Sequence, residues 1–138
     1  PLQVPCPAPP FGTISGIDLT TGKLIWTKPF GTAENSGPFG WRSYLPVSVG
    51  VPSVGGAMTT RSGLTFIAAT QEDHFRAFDT RTGKLLWDTK LPVSGHAIPM
   101  TYTSPKSGRQ FVVIAASGFA ALKSGSGDYI VAYALPKR

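Results

Sequence analysis

GIDLTTGKLIW at residues 16–26 and AFDTRTGKLLW at residues 77–87 decide the fold. Aligned without gaps, the two stretches share an Asp (Asp18, Asp79), a Thr-Gly-Lys-Leu run (Thr21–Leu24, Thr82–Leu85) and a Trp (Trp26, Trp87). A third, partial copy opens at Ala132, so the copies start at 16, 77 and 132, spacings of 61 and 55 residues. Recurrence of this kind marks a repeat architecture. Before each Asp the residues alternate in character, as suits a strand with two different faces. The Asp is expected to accept hydrogen bonds from the backbone of the next turn. The Gly supplies the positive φ that such a turn needs. The chain then reverses, and Leu-x-Trp opens an antiparallel strand. The small residue at the first position leaves room for a large ring. Each Trp is therefore expected to pack against such a residue on a neighbouring repeat, with an acceptor for its indole N–H. On this reading Trp26 and Trp87 are structural docking residues.

Outward from the motif, a second hairpin also recurs. GGAMTTRSGLTFIAAT (55–70) and IPMTYTSPKSGRQFVVIAAS (98–117) each contain a strand, a Ser-Gly turn and an apolar strand. The run Phe111–Ala116 is apolar on both faces, as expected of a sandwiched strand. One full unit thus reads as strands at 55–61, 64–70, 73–79 and 84–90, the four-stranded blade of a β-propeller. Residues 1–28 read as the end of one blade, with strands at 12–18 and 23–28. Residues 29–54 form a long Gly/Pro-rich loop, of the kind that carries function in repeat proteins. Residues 55–90 are a full blade. Residues 91–138 are a last, incomplete blade with strands at 98–104, 109–115 and 128–135. A closed propeller needs about four blades or more. These residues supply fewer, so the chain, which begins with Pro1, is expected to be cut from a longer protein. Isolated, it would expose strand edges.

Composition fits this reading and excludes others. The 138 residues include 16 Gly and 13 Pro with 41% hydrophobic side chains, which favours a turn-rich β chain over disorder. The net charge of +6 is scattered, and only Lys137 and Arg138 are adjacent, so no basic patch for nucleic acid forms. The single Cys6 excludes an internal disulfide and any CxxC motif. His74 and His96 lack metal-ligand spacing, and Ser94 with His96 matches no hydrolase motif. His74 reads as a solvated turn residue. Trp41 reads as an anchor of the long loop, with a substrate-side aromatic as the other reading.

The repeat, with Ala or Gly, Asp, Thr-Gly-Lys and Trp at fixed positions, resembles the tryptophan-docking motif of the eight-bladed quinoprotein dehydrogenases. The stretches PLQVPCPAPPFGTISGIDLTTGK, GTAENSGPFG, TQEDHFRAFDTRTGK, PMTYTSPKSGRQFVVI and GDYIVAYALP resemble the C-terminal end of that family's membrane-bound branch. The resemblance implies an all-β chain forming part of an eight-bladed β-propeller. It implies a fragment of an enzyme that oxidises glucose, quinate or another polyol with pyrroloquinoline quinone (PQQ) and passes electrons to ubiquinone. The implied location is the periplasmic side of the bacterial inner membrane, with membrane contact through regions outside this chain. The implied partners are the sugar or polyol, ubiquinone and the remaining blades, and not nucleic acid.

In such an enzyme a carboxylate takes the alcohol proton, hydride passes to C5 of the quinone, and Ca²⁺ or Mg²⁺ polarises that carbonyl. The catalytic Asp and the metal ligands of the family lie in earlier blades. No residue here matches them, so none is assigned as catalytic or metal-binding. Val54-Gly55-Gly56 matches a Gly-Gly turn that lies near the cofactor in the family, although soluble relatives often carry an aromatic where Val54 stands. The loop SGFAALKSGSGD (117–128) faces the active-site mouth by the same resemblance. Within it, Phe119 stands where glucose-type members commonly have His, which leaves quinate-like or other polyols open. His96 stands where relatives often have Gln. Both are candidates for the substrate entrance. The rival readings are a non-catalytic propeller used as an interaction scaffold in the cell envelope, a small interaction domain complete in itself, which the missing strands weigh against, and a soluble or haem-fused alcohol dehydrogenase. The haem-fused form would carry a CxxCH motif, which a single Cys cannot supply.

Overall fold

The computed structural model describes residues 6–136. Pro1, most of PLQVPC, and the pair Lys137 and Arg138 lie outside the described residues. Nine strands follow in order: β1 (Thr13–Asp18), β2 (Lys23–Pro29), β3 (Met58–Thr59), β4 (Leu64–Ile67), β5 (His74–Asp79), β6 (Leu85–Lys90), β7 (Met100–Thr103), β8 (Gln110–Ala116) and β9 (Tyr129–Tyr133). They form three antiparallel meanders, β1-β2, β3-β4-β5-β6 and β7-β8-β9. The helical content among the described residues is two single 3₁₀ turns, Pro38–Gly40 and Ala120–Leu122. The chain is all-β, with sheets arranged as propeller blades.

The repeated motif builds the same turn twice. Asp18 accepts hydrogen bonds from the Thr20 N–H and the Thr21 hydroxyl. Asp79 accepts from the N–H groups of Arg81 and Thr82 and from the Thr82 hydroxyl. These bonds favour the charged form and lower both pKa values from the usual carboxylate value of 3.8. Gly22 and Gly83 take φ of 67° and 65° to complete the reversal. Each hairpin then carries a bulge at one place. Gly16 pairs Trp26 but Ile17 pairs Leu24, and Ala77 pairs Trp87 but Phe78 pairs Leu85. The x of Leu-x-Trp, Ile25 or Leu86, is the extra residue.

Trp26 docks the first sheet on the second. Its ring lies over its own Gly16, where an added Cβ would meet it at 2.4 Å, and against Gly83 of the next repeat, at 2.6 Å. Its indole N–H donates to the Thr80 carbonyl at 3.0 Å, and the Lys28 ammonium donates to the Gly83 carbonyl at 3.0 Å. The partner is thus the turn of the neighbouring repeat together with the motif's own first residue.

Two apolar clusters place the second sheet between the other two. Phe30, Ile67, Ala69 and Phe78, with Ile14, pack toward the first sheet. Ala68, Phe75, Leu91, Val93, Ile114 and Ala116, with Trp87, Val112, Val131 and Tyr133, pack toward the third. The strand buried on both faces is therefore β5, from Phe75 to Phe78, while β8 exposes Ala115. The β8 sheet has a neighbouring sheet on one side only among the described residues.

Two strands are shorter than the pattern suggests. β3 covers only Met58–Thr59, because Gly55 turns away at φ 136° beneath the His96 carbonyl. β4 stops at Ile67, because Ala69 enters the left-handed region at φ 57° and donates its N–H to the Gly95 carbonyl. The meander order collects the tight turns at one end of the sheets. The long connections, 30–57, 68–73, 91–99 and 117–128, gather at the other end, called here the loop face.

Candidate functional site

The loop face brings Val54, Gly55, Gly56, His96 and Phe119 together. The Val54 N–H donates to the Ala69 carbonyl at 2.9 Å. Gly55 passes so close to the next connection that an added Cβ would lie 2.6 Å from the His96 carbonyl oxygen. A Cβ on Gly56 would meet Ile98 at 2.7 Å. Packing within the chain therefore already requires Gly55, whereas a side chain at Gly56 would need the exposed Ile98 to shift. The same strip leaves an open backbone face, with Val54 43% exposed. At Gly55 and Gly56 no side chain covers the backbone, which leaves it open to close approach.

His96 lies between this strip and the 117–128 loop. Its ring centroid is 5.6 Å from that of Phe119. Nδ1 is 2.9 Å from the Val54 carbonyl oxygen, and Nε2 is 2.9 Å from Ser124 Oγ and 3.2 Å from Ser94 Oγ. The Ser94 hydroxyl donates to the Ser124 carbonyl at 2.9 Å, and the Phe119 N–H donates to Ser124 Oγ at 2.9 Å. Ser94 and His96 are thus neighbours, yet no carboxylate orients the ring, and the Ser94 hydroxyl is buried and committed to a carbonyl. The pair forms no nucleophile and base. Ser124 is a member of this cluster that sequence reasoning missed, because nothing in SGSGD marks one Ser above another.

A second polar cluster holds the long loop. The Glu72 carboxylate accepts from the N–H and the hydroxyl of Thr32, from the Thr70 hydroxyl at 3.3 Å, and from the Arg76 guanidinium. Arg76 also donates to Asp88 at 3.2 Å and lies over the Phe30 ring at 5.9 Å. His74 meets Asp88 through Nδ1 and is half-buried, so it is not simply solvated. The Asn35 side chain donates to the Gln71 carbonyl, and the Ser43 hydroxyl to the Ala33 carbonyl. Trp41, by contrast, is 77% exposed among the described residues, where Glu72 and Asn35 hold the loop. Beside this clamp a polar hollow of about 180 Å³ is lined by Arg42, Asp73 and Lys90 among others. Burial raises the Asp73 pKa from the usual value, against the pull of Arg42 and Lys90.

Among the described residues, no group of three or more His, Cys, Asp or Glu side chains could hold a metal ion. Among the same residues, no helix is long and apolar enough to cross a membrane.

Comparison with known proteins gives this geometry its context. The family model for the β-propeller domain of PQQ glucose/ethanol/alcohol dehydrogenases matches residues 1–112. The chain belongs to that family. A probable quinate dehydrogenase (quinone) of Xanthomonas campestris pv. juglandis is 50% identical over 135 residues. That match covers 98% of this chain and 17% of the relative. The quinate/shikimate dehydrogenase (quinone) of Acinetobacter baylyi is 46% identical over 136 residues, 99% of this chain and 17% of the relative. A quinoprotein glucose dehydrogenase of Escherichia coli is 43% identical over 136 residues, again 99% and 17%. The chain of this PQQ dehydrogenase family thus spans 17% of the length of these relatives. Among solved structures, a quinohemoprotein alcohol dehydrogenase from Pseudomonas putida HK5 superposes with a TM-score of 0.54. It covers 78% of this chain and 12% of that one at 21% identity, a likeness of fold alone.

Proposed function

We propose that this chain supplies the C-terminal blades of an eight-bladed quinoprotein dehydrogenase that oxidises a polyol, with quinate-like compounds ahead of glucose. The observation that carries this reading is the loop-face cluster. It sets the Val54-Gly55-Gly56 strip against His96, whose ring neighbours Phe119, in a chain 50% identical across nearly its whole length to a probable quinate dehydrogenase (quinone). The strip would face the cofactor, and His96 and Phe119 would line the substrate entrance. When bound, PQQ supplies the two-electron oxidant, with Ca²⁺ or Mg²⁺ held by residues outside this chain. Phe119 presents an apolar wall, half-exposed, where a glucose-type member would present a hydrogen-bonding ring. A site without that group lacks one hydrogen bond to a sugar hydroxyl, which weakens the case for glucose and leaves quinate-like polyols ahead. Ubiquinone is the proposed electron acceptor, and the periplasmic side of the inner membrane the proposed location.

The test is reconstitution of the full-length apoenzyme with PQQ and Ca²⁺ or Mg²⁺, followed by dye reduction on quinate, shikimate, glucose and glycerol. PQQ-dependent turnover with kcat/KM highest for quinate or shikimate is expected. Absence of PQQ-dependent turnover on every polyol would overturn the reading. Glucose as the best substrate would overturn the role given to Phe119.

A further inference from the structure

The hydrogen-bond roles around His96 are fixed by what each partner can do. The Val54 carbonyl only accepts, so Nδ1 carries the ring proton. The Ser94 hydroxyl has spent its proton on the Ser124 carbonyl, so it cannot donate to Nε2. The Ser124 hydroxyl lies 2.9 Å from Nε2 and 3.3 Å from the Phe119 carbonyl, so its proton goes to Nε2. Its oxygen still accepts the Phe119 N–H. Both nitrogens of a neutral ring are then satisfied by the protein. The joined segments lie 42 and 28 residues away along the chain. The backbone follows the same seam, with the Gly118 N–H donating to the Ser94 carbonyl and the His96 carbonyl seated over Gly55.

We infer that His96 is a positioning residue. Its imidazole pins the Val54–Gly56 strip to the 117–128 loop and offers no nitrogen to substrate. This rests on the proposed role of the strip as the cofactor side of the site. The ring fixes the opening between strip and loop, and Phe119 packs on it. A Gln at this position would reproduce both bonds, its amide N–H toward Val54 and its carbonyl toward Ser124. A Leu would fill the space and reproduce neither.

The test compares His96→Leu, His96→Gln and Ser124→Ala in the full-length protein, by segment-resolved hydrogen exchange of the apoprotein and by PQQ titration. Loss of a buried hydrogen bond amounts to about tenfold in an opening equilibrium. His96→Leu is expected to raise exchange across 117–128 and 52–56 by about tenfold. It is also expected to weaken PQQ binding by about tenfold. His96→Gln restores both readings, and Ser124→Ala raises exchange in 117–128 alone. Unchanged exchange in His96→Leu, or a rise in KM for the polyol without any change in exchange, would overturn the inference. Failure of His96→Gln to rescue would do the same. Failure of the parent protein to bind PQQ would sink the proposed function, while the exchange comparison would still report on the pin.

Discussion

Trp26 and Trp87 occupy the same position of the same eleven-residue motif, yet they meet different surroundings. Trp26 is held between Gly16 and Gly83, with its N–H on the Thr80 carbonyl and Lys28 beside it. Trp87 meets rings, with centroids 5.7 Å from Phe75 and 5.1 Å from Tyr133, both edge-on. The position matching Thr80 in the third copy is Leu135, whose carbonyl is taken by Arg109. Beside Trp87 opens a largely apolar cleft of about 660 Å³, bounded by Leu64, Leu86, Val112 and Pro136. The lesson is that the motif presents a Trp, and the Thr-Gly turn of the next repeat docks it.

The first interface is also clamped at its loop face, and that clamp carries the largest expected effect. Glu72→Gln leaves the buried Arg76 guanidinium with the Asp88 carboxylate alone and weakens the grip on Thr32. The first sheet and the 29–54 loop should lose about 3 kcal/mol of protection in hydrogen exchange of the full-length protein. Protection between the second and third sheets should stay as it was. Equal loss on both sides would show that the two interfaces are not separately held.

The next effect sharpens the comparison at a single atom. Gly83→Ala strains a left-handed residue and drives a Cβ into the Trp26 ring, which together cost about 2–4 kcal/mol. Gly22→Ala strains the same backbone conformation, but nothing lies within 4 Å of the added Cβ, so about 1 kcal/mol is expected. Protection of β1 and β2 reads both. Equal effects would mean that Gly83 serves the turn only and not the docking.

The smallest effect separates the two faces by acid. Asp18 and Asp79 have lowered pKa values, so their contribution is present at neutral pH and is lost as pH falls through those values, below 3.8. Asp73 has a raised pKa, so the opposite sign holds. Its charge opposes folding above the raised value, and the penalty is relieved as pH falls through it. Carboxyl NMR with labelled aspartate should place Asp73 above 3.8 and the two turn residues below it. Coincident titration would remove this distinction between turn face and loop face.

The fold was legible because its signals are local. Asp, Thr-Gly and Trp report a turn and a strand within eleven residues, and the Ser-Gly hairpin reports another. The bulge at Ile25 and Leu86 was not legible, because an extra residue between two apolar neighbours leaves no mark in their pattern. The truncation of β3 and β4 follows from Gly55 beneath His96 and Ala69 bonded to Gly95, contacts between segments far apart in sequence. The candidate site shows the same divide. Val54, Gly55, Gly56, His96 and Phe119 were found through family resemblance, and the chain brings them together on one face. Their contact with a cofactor is the proposal above. The Ser124 hydroxyl and the Glu72 clamp on Thr32 depend on pairs 28 and 40 residues apart, which no single-sequence pattern records. Among the described residues polar side chains such as Glu72 and Asn35 hold the long loop, through pairings that leave no mark in a single sequence.

The central claim, that the loop face of these blades meets PQQ, is tested most directly by PQQ binding to the full-length apoprotein. The parent would be compared with Gly55→Ala and Gly22→Ala. A Cβ at Gly55 would press on the His96 carbonyl and shift the strip, whereas one at Gly22 stands at the opposite end in open space. Saturable PQQ binding by the parent and Gly22→Ala, weakened about tenfold or more in Gly55→Ala, is the expected result. No PQQ binding by the parent, or equal affinity in all three proteins, would contradict the claim.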